Sequence, residues 1–257
     1  MTITPLENPI EALIFDCDGT LTKLEGIDEL ARMNGVGEVV ENLTANAMGH
    51  GGLNPKLYHE RLNLVKPTQN QVKILGEKYI EHCMPDIPAV IQLLETLNKK
   101  IYIVSAGLFP AVAMLGDYLK IPRQNIFAVN IIFDAHHNYL DFDHDSPLVN
   151  NNGKRIVISQ IKKNHDRIVH VGDGMNDYSA HDLVTRFVGY GGAFYHARVA
   201  EACQYYIACP SMSALLPLCL TQSEYEKLNK SSQCLQSLNR IEFRSLAGRI
   251  VAKENTD

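Results

Sequence analysis

The six cysteines of this 257-residue chain, Cys17, Cys83, Cys203, Cys209, Cys219 and Cys234, never stand as C-x-x-C. That argues against a zinc site or a disulfide framework and fits a reducing compartment. Positive charge is in deficit: Lys and Arg number 24 against 29 Asp and Glu, a net charge of -5, so the basic face of a general nucleic-acid binder is missing. No run approaches the roughly 18 apolar residues of a membrane span. Met1 to Pro9 has neither a basic region nor a long apolar core, so no signal peptide is expected. These absences predict a cytoplasmic protein whose partners include neither nucleic acid nor membrane. What is present is an ordinary globular composition, 46% hydrophobic and 21% charged, in a chain long enough for a domain with an insertion.

Against that background one stretch stands out, Leu13-Ile14-Phe15-Asp16-Cys17-Asp18-Gly19-Thr20-Leu21. The apolar run from Ala12 to Phe15 reads as a fully buried strand, and Asp16 and Asp18 follow it. In an open α/β sheet ligands bind beyond the carboxyl ends of the strands. Two carboxylates there repel each other unless a cation offsets them, and a hard ion such as Mg²⁺ prefers oxygen ligands. Taken alone, D-x-D-G-T also suits a polar strand end followed by a turn.

The periodicity changes after Thr20. Ile27, Leu30, Ala31 and then Val36, Val39, Val40 and Leu43 recur at helical spacing, with a stop at Asn34-Gly35. The glycines of Met48 to Gly52 predict a loop, Pro55 opens another helix, Pro67-Thr68 breaks it, and a further helix covers Gln71 to Cys83. Residues 22–84 thus read as a helical insert without strands. A helix over Ala89–Asn98 leads to a second buried strand, Lys100 to Ser105, with a turn at Ala106-Gly107 and a helix over Pro110–Leu119. Short strands or a hairpin follow at 126–142, and a loop at 150–153 precedes a helix beginning at Lys154. Arg167 to Val171 is a third buried strand, ending in Gly172-Asp173-Gly174-Met175-Asn176-Asp177, with a helix over Tyr178–Val184 after it. Strand–helix alternation through Ala208 predicts a mostly parallel sheet. Residues 221–257 form a more polar extension, with a linker at Ser231–Ser237 and a short amphipathic helix over Ile241–Val251 carrying Arg244 and Arg249.

Three buried strands therefore end in groups suited to phosphoryl transfer: Asp16 and Asp18, then Ser105, then Asp173 with Asp177. Lys154 enters between the last two. A carboxylate attacking a phosphate dianion needs a metal, a fixed ammonium and several hydrogen-bond donors. This ordered set resembles the haloacid dehalogenase-like phosphatases. Glu25-Gly26-Ile27-Asp28-Glu29-Leu30-Ala31, Ala47-Met48-Gly49, Glu60-Arg61-Leu62 and Phe187-Val188-Gly189-Tyr190-Gly191-Gly192 are similar to the phosphoserine phosphatase family, from about Ala12 to Leu218.

The resemblance implies an α/β, Rossmann-like three-layer core over residues 1–21 and 85–220, with a cap of residues 22–84. It implies Asp16 as nucleophile, Asp18 as general acid and base, and Mg²⁺ on Asp16, the Asp18 carbonyl and Asp173. Ser105, Ala106, Gly107 and Asn176 would hold the phosphoryl group, Lys154 would neutralise charge, and Asp177 would support Lys154 or a metal-bound water. Glu25, Met48 and Arg61 would bind the substrate, Glu25 its ammonium and Arg61 its carboxylate. The implied activity is hydrolysis of O-phospho-L-serine, a small phosphorylated metabolite of serine biosynthesis, by a monomer or homodimer. Alternatives are another small ester (phosphoethanolamine, phosphocholine or a phosphosugar) and a regulatory protein that keeps the fold without turnover.

Three positions depart from the family pattern. Asn54 stands where a pocket phenylalanine is usual, Ala106 where a glycine is usual, and Ala45-Asn46 where a basic pair is common. Elsewhere, Asp141, Asp143 and Asp145 lack the Gly and Glu of a calcium loop and predict a polar hairpin. His136-His137 reads as an exposed tip, His170 as a hydrogen-bonded core histidine, and Cys17 as an unreactive thiol facing away from its two aspartates. The run Val188 to Ala193 contributes either a loop near the site or a plain strand end.

Overall fold

Ala12–Phe15 forms strand β1, and all four residues are buried, as an apolar run covered on both sides must be. The structure, a computed structural model, describes residues 3–50, 53–230 and 250–252. The other strands are β2 (Lys100–Leu108), β3 (Ile126–Val129), β4 (Ile131–Phe133), β5 (Tyr139–Phe142), β6 (Ile168–Gly172), β7 (Arg186–Tyr190), β8 (Tyr205–Ile207) and β9 (Ile250–Ala252). Among the described residues the main sheet has seven strands in the order β3-β2-β1-β6-β7-β8-β9, and β4 and β5 make a separate hairpin. The main sheet is parallel except for β9, which runs antiparallel to β8. Phe15 is in register with both Ile103 and Val171. Asp16, Ser105 and Asp173 therefore emerge at one edge of the sheet, one or two residues further along. This is the mostly parallel α/β core expected.

Between β1 and β2 the chain leaves the sheet for α1 (Gly26–Met33), α2 (Gly37–His50), α3 (Pro55–Val65) and α4 (Gln69–Glu81), then returns through α5 (Ile87–Thr96). An isolated antiparallel bridge, Thr22 to Cys83, clasps the two crossings, and Met84 N donates to Leu21 O at 2.9 Å beside it. Asn54 caps α3 by accepting from Leu57 N at 3.0 Å, with Pro55 at the first helical positions. Thr68 and Gln71 form a reciprocal capping box at the start of α4. Thr68→Ala should lower stability by about 1 kcal/mol, read as a lower thermal midpoint; an unchanged midpoint would show that the box contributes nothing.

The core continues through α6 (Phe109–Tyr118), α7 (Gly153–Ile161), α8 (Met175–Tyr178), α9 (Ala197–Ala202), α10 (Leu216–Cys219) and α11 (Gln222–Lys230). Helices α5, α6 and α7 pack on the sheet, and α4 of the insert packs on α6. Helix α11 is tied down by a buried ion pair: Lys99 meets Glu224 and also donates to Ile10 O at 3.0 Å. No helix among the described residues is long and apolar enough to cross a membrane.

Several local expectations are corrected. Helix α2 continues through Met48 and Gly49 to His50; one glycine costs a helix only about 1 kcal/mol, and the side chains of 45–50 lie outside the described residues. Ala106-Gly107 is not a turn, because β2 runs on to Leu108 with a register shift after Val104. Helix α8 starts at Met175, three residues early, because the Asp177 carboxylate accepts from Gly174 N at 3.2 Å and closes the first turn. It ends at Tyr178, followed by a single 3-10 turn at His181–Leu183. Ile250 and Val251 are not helical: they pair with β8 as β9, a contact between distant segments that local periodicity does not reveal. The proposed linker Ser231–Ser237, Cys234, and the segment through Arg244 and Arg249 lie outside the described residues.

Candidate active site

The floor of the site is a charge cluster built by β1, α7 and α8. Lys154, at the start of α7 and 2% exposed, places its ammonium 2.8 Å from Asp16 Oδ1 and 2.7 Å from Asp177 Oδ1. Carboxylate oxygens of Asp16, Asp173 and Asp177 all lie within 4.8 Å of one another. Burial, then the charges of Asp177 and Asp173, push the Asp16 carboxyl well above the usual range despite Lys154. Burial works against the Lys154 charge too, but Asp16 and Asp177 outweigh it and raise the ammonium's pKa. Burial also opposes ionisation of Asp177, yet Lys154 and then His170 hold it low. Three buried carboxylates against one ammonium leave excess negative charge on an all-oxygen donor set, which fits a hard divalent cation.

Above this floor, Gly19 turns the chain with φ +66, and a Cβ there would stand 2.4 Å from Asp173 Oδ2, so both conformation and space require glycine. The Asp18 carboxylate is directed toward the insert: its Oδ1 accepts from Gly26 N at 3.1 Å and from the Tyr79 hydroxyl at 2.5 Å. Burial pushes Asp18 up to about 6, against the lowering effect of the Tyr79 and Gly26 hydrogen bonds. Ser105 Oγ accepts from Gly107 N at 3.0 Å, and Ala106 O accepts from the Tyr58 hydroxyl at 3.0 Å, fixing the strand end under α3. Asn176 Oδ1 accepts from Asp177 N at 3.0 Å.

Between insert and core lies a small cavity of about 30 Å³, lined in part by Gly26, Tyr58, Arg61, Tyr79, Ala106 and Gly107. Arg61 Nε is buried without a hydrogen-bond partner. Burial lowers the Arg61 pKa, while Tyr58, Asp28, Glu25 and Asp18 act in the opposite sense. Glu25 precedes α1 without a side-chain capping bond; burial first, then the Asp18, Asp173 and Asp16 charges, push its carboxyl well above the usual range. The structure thus gathers Asp16, Asp173, Asp177 and Lys154 into one cluster and puts Arg61, Ala106 and Gly107 on one cavity. Glu25 and Asn176 are half-buried and do not line that cavity. The side chain of Met48 lies outside the described residues, and the exposed Asn54 is a helix cap that does not line the cavity.

The model of the haloacid dehalogenase-like hydrolase family matches residues 10–180. The chain belongs to that family. The phosphoserine phosphatase of Bos taurus is 33% identical over 199 residues, covering 77% of this chain and 88% of its own. That of Homo sapiens is 32% identical with the same coverage. A solved substrate-bound phosphoserine phosphatase complex shares the fold with a TM-score of 0.70 at 24% identity, over 83% of this chain and 100% of its own.

As a haloacid dehalogenase-like hydrolase the chain carries neighbours to the charge cluster that sequence reasoning passed over. His196, in the loop after β7, brings Nε2 to 3.2 Å from Asp173 Oδ2, and that contact raises its pKa. The glycine-rich run before it was the only signal for a loop there. Tyr79 falls in line with Val72 and Leu75 on the buried face of α4, where its ring reads as core and its hydroxyl is invisible. His170 is a core histidine as expected, fully buried against Asp177, and its Nδ1 has no hydrogen-bond partner. Nε2 lies 3.3 Å from Asp177 Oδ1, and burial lowers the ring's pKa against the opposing pull of Asp177. Cys17 is buried, and burial, then Asp18 and Asp16, push its thiol well up. His136 and His137 are exposed. A second cluster, His59, Asp141 and His144, gathers at the surface, where His144 bonds Asp141 at 2.7 Å and Asn63 lies 2.6 Å from His59.

Proposed function

We propose that this protein is a Mg²⁺-dependent phosphatase that hydrolyses O-phospho-L-serine through an aspartyl-phosphate. The observation that carries the substrate is Arg61, a half-buried side chain on the cavity whose Nε is buried and unpartnered. Asp16, Asp173 and the Asp18 carbonyl would hold Mg²⁺, which supplies positive charge to the phosphoryl oxygens. In the first step an Asp16 oxygen attacks phosphorus as the bond to the seryl oxygen breaks. The electron pair stays on that oxygen, which takes the proton of Asp18. Asp18, now a carboxylate, then takes a proton from water as the water oxygen attacks phosphorus, releasing phosphate and restoring both aspartates. Lys154 offsets the charge of Asp16 during the approach of the dianion, with Asp177 fixing its position. Ser105, Gly107, Ala106 and Asn176 would hold phosphoryl oxygens, and Glu25 and Met48 would complete the amino-acid pocket with Arg61.

Residues 22–84 would serve as the cap over the core of 1–21 and 85–220, with 221–257 as an extension. A cavity of about 30 Å³ holds little more than a water molecule, so the cap lifts to admit substrate and closes on it. The described cysteines are all free thiols, which supports a cytoplasmic setting, with the chain acting as a monomer or homodimer.

The test is phosphate release from a panel of small phosphomonoesters with Mg²⁺, for wild type and Arg61→Ala. L-phosphoserine should lead. Arg61→Ala should lower its kcat/KM roughly ten- to a hundredfold, the loss of a charged hydrogen bond of about 1.5–3 kcal/mol. Phosphoethanolamine, which has no carboxylate, should be indifferent to the change. If another ester leads and Arg61→Ala is silent, the substrate assignment fails.

A further inference from the structure

Tyr79 is fully buried on α4, and its hydroxyl donates to Asp18 Oδ1 at 2.5 Å. The same oxygen accepts Gly26 N at 3.1 Å. The ring is admitted because residue 26 has no side chain: a Cβ there would stand 2.0 Å from the Tyr79 hydroxyl oxygen. Both donors belong to the insert, so the insert holds one oxygen of the carboxyl group. The other oxygen faces the core. A Cβ on Gly107 would lie 3.2 Å from Asp18 Oδ2 and 3.1 Å from Ser105 Oγ, so Oδ2 points to the side where the phosphoryl group would sit.

We propose that Tyr79 is a positioning residue for protonation of the leaving group: by occupying Oδ1 together with Gly26 N–H, it makes Oδ2 the oxygen that carries the proton. This rests on the reading of Asp18 as the general acid. A carboxylic acid has one carbonyl oxygen and one hydroxyl. An oxygen already accepting two donors is the carbonyl, and the proton sits on its partner. As the phosphorus–oxygen bond breaks, the leaving oxygen keeps the electron pair and receives the Oδ2 proton, and Asp18 becomes a carboxylate. Oδ2 then faces the water whose proton it takes in the second step.

Tyr79→Phe keeps the ring and removes only the hydroxyl. The measurement is kcat/KM for L-phosphoserine and for p-nitrophenyl phosphate, both with Mg²⁺. Nitrophenolate leaves without a proton, whereas the seryl alkoxide does not. The expected result is a loss of roughly tenfold or more with phosphoserine and of about twofold or less with the nitrophenyl ester. Equal losses on both substrates would reduce Tyr79 to a packing residue, and no loss on either would remove its role; both overturn the proposal. Asp18→Asn on the same pair tests the reading beneath it. A loss selective for phosphoserine keeps Asp18 as the acid whatever Tyr79→Phe does, and an unselective loss removes that reading and the proposal together.

Discussion

Asp16→Asn should yield a folded protein with no useful turnover. The amide is nearly the size of the carboxylate, but its oxygen is a poor nucleophile and cannot form the acyl-phosphate. Removing the nucleophile from a set of residues that act as a unit costs on the order of 10⁶-fold in kcat. The fold should tolerate the change, because Lys154 keeps Asp177 at 2.7 Å. The repulsion that Asp177 and Asp173 exert on Asp16 disappears at the same time. Phosphate release and a thermal melt on one preparation decide the matter: activity lost with the melting temperature held or raised. A variant that keeps turnover within about tenfold would strip Asp16 of the nucleophile's role.

The largest loss of stability is expected far from the chemistry, at Glu224→Ala. Lys99 has a side chain only 1% exposed, and its ammonium is shared between Glu224 and the Ile10 carbonyl. Without Glu224 the ammonium stays buried with one neutral acceptor, and an uncompensated buried charge costs about 3–5 kcal/mol. Thr221 N, which donates to Glu224 Oε2 at 2.9 Å, loses its acceptor as well. Against a typical total of about 5–15 kcal/mol this is a large fraction. A denaturant titration should show a lower midpoint with an unchanged slope. Replacing both partners, as Lys99→Met with Glu224→Leu, should recover much of the loss, since the cost belongs to the unpaired charge. A single-variant loss under about 1 kcal/mol would mean that water reaches Lys99.

Much of the architecture was legible because buried parallel strands read as unbroken apolar runs. Ala12–Phe15 and Ile168–Val171 needed no tertiary information, and the acidic residues that follow them meet because their strands are in register. Helix starts were legible in part for a similar reason: Pro55 opens α3 as read, whereas Thr68, read only as a break, caps α4. What local pattern could not supply was contact between distant segments. Tyr79 reaches Asp18 across 61 positions, β9 finds β8 across more than forty, and His196 meets Asp173 through a loop with no periodicity. The extension of β2 through Ala106-Gly107 was missed because a strand neighbour, β3, overrides a turn-prone dipeptide. Asn54, a puzzling departure in the chain alone, has a local account as a helix cap.

The bridge between Thr22 and Cys83 has an evolutionary consequence. The chain departs from the core and rejoins it at one point, so the ends of the segment between Thr22 and Cys83 are held together whatever its length. Extra chain there costs little in loop closure once the ends are held together, but the packing of α4 on α6 ties part of the segment to the core. The groups that face the phosphoryl end are inherited with the sheet, whereas Arg61 and Tyr79 travel with the insert. Because Tyr79 bonds Asp18, a change in that part of the insert bears on the reaction as well as on the choice of substrate.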